Sequence, residues 1–314
     1  MWHELTRHFT YDILGLHGKI AGATHFFIYD TVKIWFLLVT IIFAISFLRT
    51  WFNTEYVRAH LQGKSAFYGH VVAAAFGIIT PFCSCSAIPL FLGFIQARIP
   101  LGITFSYLIS APMNNEIAIA MLFGLFGWQV TGLYIGFGLF VAILGGWVIG
   151  KLQLEHEILM DVKPLESELH ADIVKLSFTQ RIKEAWDYTF DIFKKIYIYV
   201  MLGVGVGAWI HGYVPTDFIV QYTGAGNPFA VIIAVIMGIP MYSNAAGVMP
   251  LVEVLTNKGM LLGTALSFMM AVTALSLPEA MILKKILSLK LIGIFFATVG
   301  SGIIAIGYLF NAIL

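Results

Sequence analysis

The sequence predicts an all-α integral membrane protein of about ten hydrophobic helical segments, in two inverted-topology repeats with broken helices near the midplane. Three observations lead there: composition, an internal duplication, and loop charges that alternate between the two halves. Of 314 residues, 59% are hydrophobic and 11% charged, and mean hydropathy is +0.88. Soluble domains carry about 25% charged residues, so a soluble enzyme is excluded. Net charge is +1, which gives no case for nucleic acid or for a polybasic lipid-binding surface.

The polar and amphipathic segment 1–30 comes first, and nothing in it resembles a secretory h-region, so the first span is expected as an uncleaved helix. His3, His8, His17 and His25 lie near it at spacings that match no metal motif, and no metal or cofactor is expected. The first membrane repeat is assigned to 31–150, a cytoplasmic linker to 151–195, and the second membrane repeat to 196–314. Apolar runs stand at Val32–Leu48, Gly132–Ile149, Ile196–Ile210 and Leu291–Phe310, some near the ~20 residues needed to span. Shorter pieces broken by Gly, Pro, Ser and Asn lie between them. Ala66–Thr80 and Ser86–Ala97 read equally as full spans, as halves of one broken helix, or as a re-entrant hairpin.

The duplication sets Thr54–Phe67 over Thr216–Phe229 without a gap, 162 positions on. Pro89-Leu90 then matches Pro250-Leu251, Gly102 matches Gly263, and Ser106-Tyr107 matches Ser267-Phe268. Gly132, Tyr134, Gly146 and Trp147 match Gly293, Phe295, Gly307 and Tyr308. Each identity alone is weak in apolar helices; a nearly constant offset is the signature of a repeat.

Arg49, Arg58 and Lys64 follow the first span, whereas the counterpart Gly212–Asn227 has no Lys or Arg. Lys284, Lys285 and Lys290 mark Leu283–Lys290, whereas the counterpart near Phe123–Gln129 has none. Cytoplasmic loops are the ones enriched in Lys and Arg. Equivalent loops thus fall on opposite sides, and the halves are inverted. The linker Lys151–Lys195, with its seven basic and nine acidic residues, is expected in the cytoplasm. Phe178 to Ile192 is expected as an amphipathic helix on the inner surface, and both termini as non-cytoplasmic.

Inverted repeats with broken helices build alternating-access carriers. Breaks are expected at Pro81–Pro89 and Ser110–Glu116 in the first half, and at Pro240–Pro250 and Ser276–Glu279 in the second. Broken backbone survives in a bilayer only where protein or a watery cavity satisfies it. The first break holds the chain's two cysteines, Cys83 and Cys85. Thiolates favour soft, thiophilic centres, and a helix beginning near Ser86 would lower the thiol pKa. Ser84 and Ser86 add hydroxyls, and Tyr242, Ser243 and Asn244 stand in the corresponding region of the second half. Asn114 and Asn115 complete the expected polar surroundings. Glu116 and Glu279 follow the later breaks and are candidates for proton coupling, since intramembrane carboxylates are functional by default; capping a helix start is the alternative. Glu253 is a weaker candidate, with Lys258 near. His70 reads as a packed histidine or as a relay.

The stretch TPFCSCSAIPLFLGFIQARIPLGITFSYLISAPMNNE, Thr80–Glu116, closely resembles the central signature of predicted bacterial permeases of the organoarsenical-permease type. His25–Val39, HFFIYDTVKIWFLLV, resembles that family's entry into its first helix. The resemblance covers most of the chain. It departs at Asn114, where relatives often carry another residue before Asn-Glu. It implies a multi-pass permease of the bacterial inner membrane, with a small-molecule substrate, the lipid bilayer as surroundings and a homo-oligomer compatible with it. Trivalent organoarsenicals are the substrate class it brings, exported with proton antiport as the expected drive. Two other classes stay open. A thiol–disulfide relay would have to cycle Cys83 with Cys85, since the second half has no cysteine. A passive channel, or the membrane subunit of a larger complex, would need no coupling carboxylate. No phosphate-binding glycine loop is present, so ATP drive within the chain is not expected.

Overall fold

Gly, Pro and Asn punctuate the apolar sequence into helices of very different length. The computed structural model describes residues 2–8, 10–11, 15, 18–49, 66–79, 84–96, 98–159, 177–213, 221–224, 226–241 and 245–314. Among them no strand is formed; only isolated bridges join Ile158 to Leu287 and Gly224 to Met260. The helices are α1 (Trp2–His8), α2 (Gly18–Arg49), α3 (Ala66–Ile79), α4 (Ser84–Gln96), α5 (Leu101–Met113) and α6 (Glu116–Lys151). They continue as α7 (Phe178–Tyr213), α8 (Ala230–Gly238), α9 (Ala245–Asn257), α10 (Leu262–Ala274), α11 (Leu277–Leu283) and α12 (Leu289–Ile313).

Three stretches among the described residues are long and apolar enough to cross a membrane: Glu116–Lys151, Leu262–Leu283 and Leu289–Ile313. The expected runs Gly132–Ile149 and Leu291–Phe310 fall inside the first and last. At 1.5 Å per residue, α3 and α4 are each about 20 Å long, short of the ~30 Å hydrocarbon core. Over the described residues each is shorter than a full span.

The expected breaks are narrower than the prolines imply. Helix α4 begins at Ser84 and runs on through Pro89, and α9 runs through Pro250. Pro112 likewise lies inside α5, so the SAPMNNE interruption shrinks to Asn114 and Asn115. A proline removes one backbone bond; a packed helix carries that loss and continues. The amphipathic segment Phe178–Ile192 is continuous with the apolar run after it, since α7 extends over 36 residues without interruption.

The chain forms two compact units. One comprises Met1–Leu37, Tyr197–Ile282 and Ile303–Leu314; the other comprises Leu38–Ile196 and Leu283–Gly302. In the second of these, α5 is the centre: all 13 of its residues are buried, and it packs against α3, α4 and α6. Its start follows a tight turn. Ile99 N–H reaches Phe94 O (3.1 Å) and Arg98 N–H reaches Ile95 O (2.9 Å), with Arg98 at φ 55°. This closes the end of α4 through a left-handed residue, and Pro100 then starts α5.

In the same unit α6 and the first part of α12 run antiparallel. A β-carbon on Gly302 would meet Val141, and one on Gly145 would meet Thr298. Beyond them, Ser288 N–H donates to Glu157 O (2.9 Å) and Leu159 N–H to Ile286 O (2.8 Å). Residue numbers rise on one element as they fall on the other. The linker just after α6 is therefore tied to the Lys284–Lys290 loop.

In the other unit α10 is the buried centre, packed against α8 and α9. It has 13 residues, as α5 has, and starts 161 positions after α5 (Leu101 to Leu262). Helices α4 and α9 are also both 13 residues long and 161 positions apart (Ser84 to Ala245). Their ends are closed alike: Met260 N–H reaches Leu255 O (3.1 Å), Gly259 N–H reaches Thr256 O (3.0 Å), and Gly259 has φ 99°.

Candidate functional site

The interior of α5 carries hydroxyls and an amide where a buried helix needs none. Thr104, Ser106, Ser110 and Asn114 are all fully buried. Ser106, Ser110 and Asn114 recur every fourth residue, so they share one face. Each buried polar group needs a partner, since leaving one unmade costs about 1–3 kcal/mol. His70 of α3 supplies one: its Nδ1 lies 2.9 Å from Ser106 Oγ. Ser110 Oγ donates to Ala74 O at 2.7 Å and accepts from Asn114 Nδ2 at 3.3 Å. Because Ser110 spends its proton on a carbonyl, it can only accept from Asn114, which fixes the orientation of that carboxamide. Asn114 Oδ1 has no hydrogen-bond partner, and it occupies the space that a β-carbon on Gly138 would take. Tyr134 of α6, also buried, donates from its hydroxyl to Met113 O at 2.6 Å, closing one carbonyl at the end of α5.

The close approach of these helices rests on glycine. A β-carbon on Gly102 would stand 2.6 Å from Gly146 O and 3.0 Å from His70 Cε1. One on Gly77 would stand 2.8 Å from Ser110 Cβ. Helix backbones meet this closely only where side chains are absent, as in membrane bundles generally.

The other unit repeats these contacts with different side chains. A β-carbon on Gly263 would stand 2.6 Å from Gly307 O, and one on Gly238 would stand 3.0 Å from Ala271 Cβ. Ser267 Oγ donates to Gly263 O at 2.8 Å. Asn311 takes the position of Gly150; its Oδ1 accepts from Thr264 N–H (3.1 Å) and its Nδ2 donates to Thr264 Oγ1 (2.9 Å). At the α10–α11 break, Leu277 N–H donates to Ile239 O at 3.0 Å. Ser276 and Glu279 are both buried there. Ser276-x-x-Glu279 reads as a capping box, yet Ser276 Oγ makes no hydrogen bond, so that box is not closed from the serine side.

The expected site residues are therefore distributed as follows. Asn114, Asn115 and Glu116 stand together at the α5–α6 break. Asn115 Oδ1 accepts from Ile117 N–H at 2.9 Å and caps α6. Glu116 is exposed in the first turn of α6, the favourable end of the helix for a carboxylate. Glu279 is buried in α11, and at the 161-residue offset that aligns α5 with α10 its counterpart in the sequence is Ala118, two residues past Glu116. Glu253 is exposed on α9. Ser84, Cys85 and Ser86 head α4, two residues earlier than the expected helix start, and their side chains lie outside the described set. Cys83, Tyr242, Ser243 and Asn244 lie outside the described residues altogether. His25 pairs through Nε2 with Thr6 Oγ1 (3.3 Å) and stacks on Tyr29. Among the described residues no group of three or more His, Cys, Asp and Glu could hold a metal.

Ser106, Ser110 and Tyr134 are the polar residues that sequence reasoning passed over. Their signal was present as the four-residue spacing of Ser106, Ser110 and Asn114, readable only once α5 is known to be buried on every side. Outside the core, Glu157 accepts from Lys290 Nζ at 3.1 Å. Hydrogen bonds from Ser288 and then Lys290 hold its carboxyl below the ordinary range.

A family model described as predicted permease matches residues 19–312. A UPF0718 protein of Methanocaldococcus jannaschii is 22% identical over 291 residues, covering 75% of this chain and 80% of its own. A Streptococcus mutans protein, whose name describes a subunit of a two-component membrane permease complex, is 27% identical over 195 residues, with 61% of this chain and 62% of its own covered. The UPF0718 protein YcgR of Bacillus subtilis is 24% identical over 184 residues, covering 58% and 60%. The chain thus spans about three-fifths of the length of the last two. No solved structure matches. With the family model spanning nearly the whole chain over an apolar helical fold, the protein belongs to the predicted-permease family of membrane proteins.

Proposed function

We propose that this protein is a permease of the bacterial inner membrane that exports a small thiophilic solute by proton-coupled alternating access, with trivalent organoarsenicals as the substrate class. The observation that carries this reading is the recurrence of one helical design 161 positions on: α4, α5 and a break, then α9, α10 and a break. Antiparallel packing of α6 against α12 supports an inverted relation, because these two helices hold matching places in the two halves. Half-helices ending at buried breaks are how carriers of this kind present dipoles and amides to a solute. About ten hydrophobic segments in two inverted repeats remain the architecture of the proposal.

In this reading Cys83 and Cys85 hold the thiophilic atom by exchange, with Ser84 and Ser86 beside them. Asn114, Asn115, Tyr242, Ser243 and Asn244 line the polar surroundings. Glu116 and Glu279 carry the proton, Glu279 from a buried position and Glu116 from an exposed helix start. Everted vesicles given a methylated or aromatic trivalent arsenical, with a proton gradient imposed and then collapsed, test it. Gradient-dependent accumulation lost in the Cys83→Ser/Cys85→Ser double variant is the expected result. Accumulation untouched by the double variant removes the sulfurs from the site. No accumulation by folded protein rejects the arsenical.

A second reading has one observation in its favour, the Streptococcus mutans relative whose name describes one subunit of a two-component permease complex. Here the chain would be the membrane subunit of a pair. Transport by the purified chain alone in proteoliposomes counts against that reading.

A further inference from the structure

The two halves of this fold act as controls for one another, and the comparison isolates His70. The α5–α6 crossing is built from Gly102, Ser106, Gly146 and Gly150; the α10–α12 crossing from Gly263, Ser267, Gly307 and Asn311. In both, a hydroxyl lies against a glycine and two backbones meet. The residue of the preceding helix that packs into the crossing differs. In one it is His70, whose Nδ1 is 2.9 Å from Ser106 Oγ. In the other it is Val231, whose Cγ1 would lie 2.5 Å from a β-carbon on Gly307.

The valine version shows that the crossing does not need an imidazole. Ser267 is satisfied without one, donating to Gly263 O at 2.8 Å. The same four-residue step takes Ser106 to Gly102 O. The difference does not stop at His70: Ser110, Asn114 and Tyr134 stand where the other half has Ala271, Leu275 and Phe295. Every one of these exchanges places a polar side chain in the first half and an apolar one in the second. Hydrogen bonds let these polar groups be buried, and the apolar counterparts show that the helices pack without them. Histidine is the one side-chain type among them whose unperturbed titration lies near neutral pH.

We infer that His70 is a proton-handling residue of the transport cycle, and that Ser106, Ser110 and Asn114 continue from it as a polar track along α5 to the α5–α6 break. The inference rests on the proton-coupled permease reading. The step is balanced within the pair. In neutral His70 with its proton on Nε2, Nδ1 accepts a hydrogen bond from the Ser106 hydroxyl. When a proton adds to the ring, Nδ1–H becomes a donor to Ser106 Oγ, and the Ser106 hydroxyl turns to Gly102 O, as Ser267 turns to Gly263 O. Loss of the proton reverses both moves. The serine is thus a two-way partner, donating to a bare Nδ1 and accepting from Nδ1–H, whereas a backbone carbonyl can only accept.

The titratable groups on the helices packed around α3 are few. They are Tyr107 on α5 and Glu116, Tyr134 and Lys151 on α6; α4 adds none among its described side chains. The ring of His70 contacts Ser106 and Gly102, while Lys151 is exposed with its Nζ 3.9 Å from the centre of the Trp147 ring. No described contact sets a fixed charge against the imidazole.

The test uses the full chain in nanodiscs with carbon-13 at Cε1 of histidine, comparing wild type with His70→Val. The variant copies the side chain that the other half carries at this crossing, so it is expected to fold. His70→Asn, which keeps a hydrogen-bonding group beside Ser106 and cannot titrate in this range, is the second variant if valine lowers the melting temperature. The signal missing from both variants belongs to His70. The expected result is that it shifts with pH between about 5 and 8. A signal fixed across that range overturns the inference.

A second arm reads transport of the trivalent arsenical against pH in proteoliposomes. Loss of its proton dependence in His70→Val, by about tenfold across that range, agrees with the inference. Transport that keeps its proton dependence in both variants overturns it and leaves the permease reading intact. A titrating His70 in a protein that moves no arsenical rejects the substrate reading while the histidine assignment stands.

Discussion

The carboxamide of Asn114 and the backbone of Gly138 share one space: a β-carbon on Gly138 would fall on the Asn114 oxygen. The amide on the glycine adds one more contact to those that hold α5 and α6 in register, beside Gly102 on Gly146 and Tyr134 on Met113 O. Gly138→Ala is expected to destabilise the protein by about 1–3 kcal/mol through overpacking. In an Asn114→Ala background the same change should cost much less. Thermal unfolding in detergent for the four proteins of this cycle measures the coupling. Equal costs in both backgrounds would mean the amide does not sit on the glycine.

Gly102 and Gly146 form a contact of backbone on backbone, and Gly263 and Gly307 repeat it, each at 2.6 Å from a would-be β-carbon to a carbonyl oxygen. Alanine at Gly102 or Gly263 must push two backbones apart. Both substitutions are expected to lower stability by more than about 2 kcal/mol. Alanine at Gly124, which has open space, should change it little. Expression and melting temperature of the three variants decide the matter.

Arg98 and Gly259 close the ends of α4 and α9 in the same left-handed turn, at φ 55° and 99°. A residue with a β-carbon is strained there and glycine is not. Arg98→Gly is expected to stabilise by about 1 kcal/mol, and Gly259→Ala to destabilise by a similar amount. A rise in melting temperature for the first and a fall for the second is the result sought.

Glu157 ties the linker to the loop before α12 through Lys290 and Ser288, and these hydrogen bonds lower its pKa. A carboxyl lowered in the folded state adds stability above its unfolded pKa, about 4.3, and loses it as pH falls through the folded value. The Leu159 and Ser288 amides should therefore exchange faster as pH drops below about 4, after correction for intrinsic rates. In Glu157→Gln this extra pH dependence should vanish. Its persistence in that variant would assign it to another group.

Tyr134 donates to Met113 O at the end of α5, where the second half has Phe295. Tyr134→Phe leaves a buried carbonyl without its donor and is expected to cost about 1–3 kcal/mol. The reverse change at Phe295 adds a hydroxyl to a fully buried ring packed on Phe105 and Phe296 and is expected to destabilise by overpacking. Unfolding midpoints of the two variants test this.

Much of the architecture was legible in the sequence because bilayer physics constrains composition so strongly. Apolar runs and Gly and Asn punctuation mark helices and the ends between them. Proline was the least faithful guide. Pro89, Pro112 and Pro250 lie inside helices, because tertiary packing holds the chain helical on both sides of one missing bond. Among the described residues the backbone leaves the helical region at Asn114–Asn115, at Leu275, and at Gly127 inside α6, where φ is 78° and ψ −177°.

The sequence by itself determined that this is an apolar, helical membrane protein, that its halves share a pattern, and that polar residues gather at Asn114–Glu116 and Ser276–Glu279. Those are properties of composition and spacing, which a single chain displays openly. Only the tertiary structure decided that α5 is buried on every face, which turns Ser106 and Ser110 from ordinary helix residues into partners of His70 and Asn114. It also separated Glu116 from Glu279, one exposed and one buried, though the two read as near equivalents in the alignment. Burial depends on which helices surround a residue, and that is fixed by glycine contacts between segments distant in sequence, such as Gly102 with Gly146.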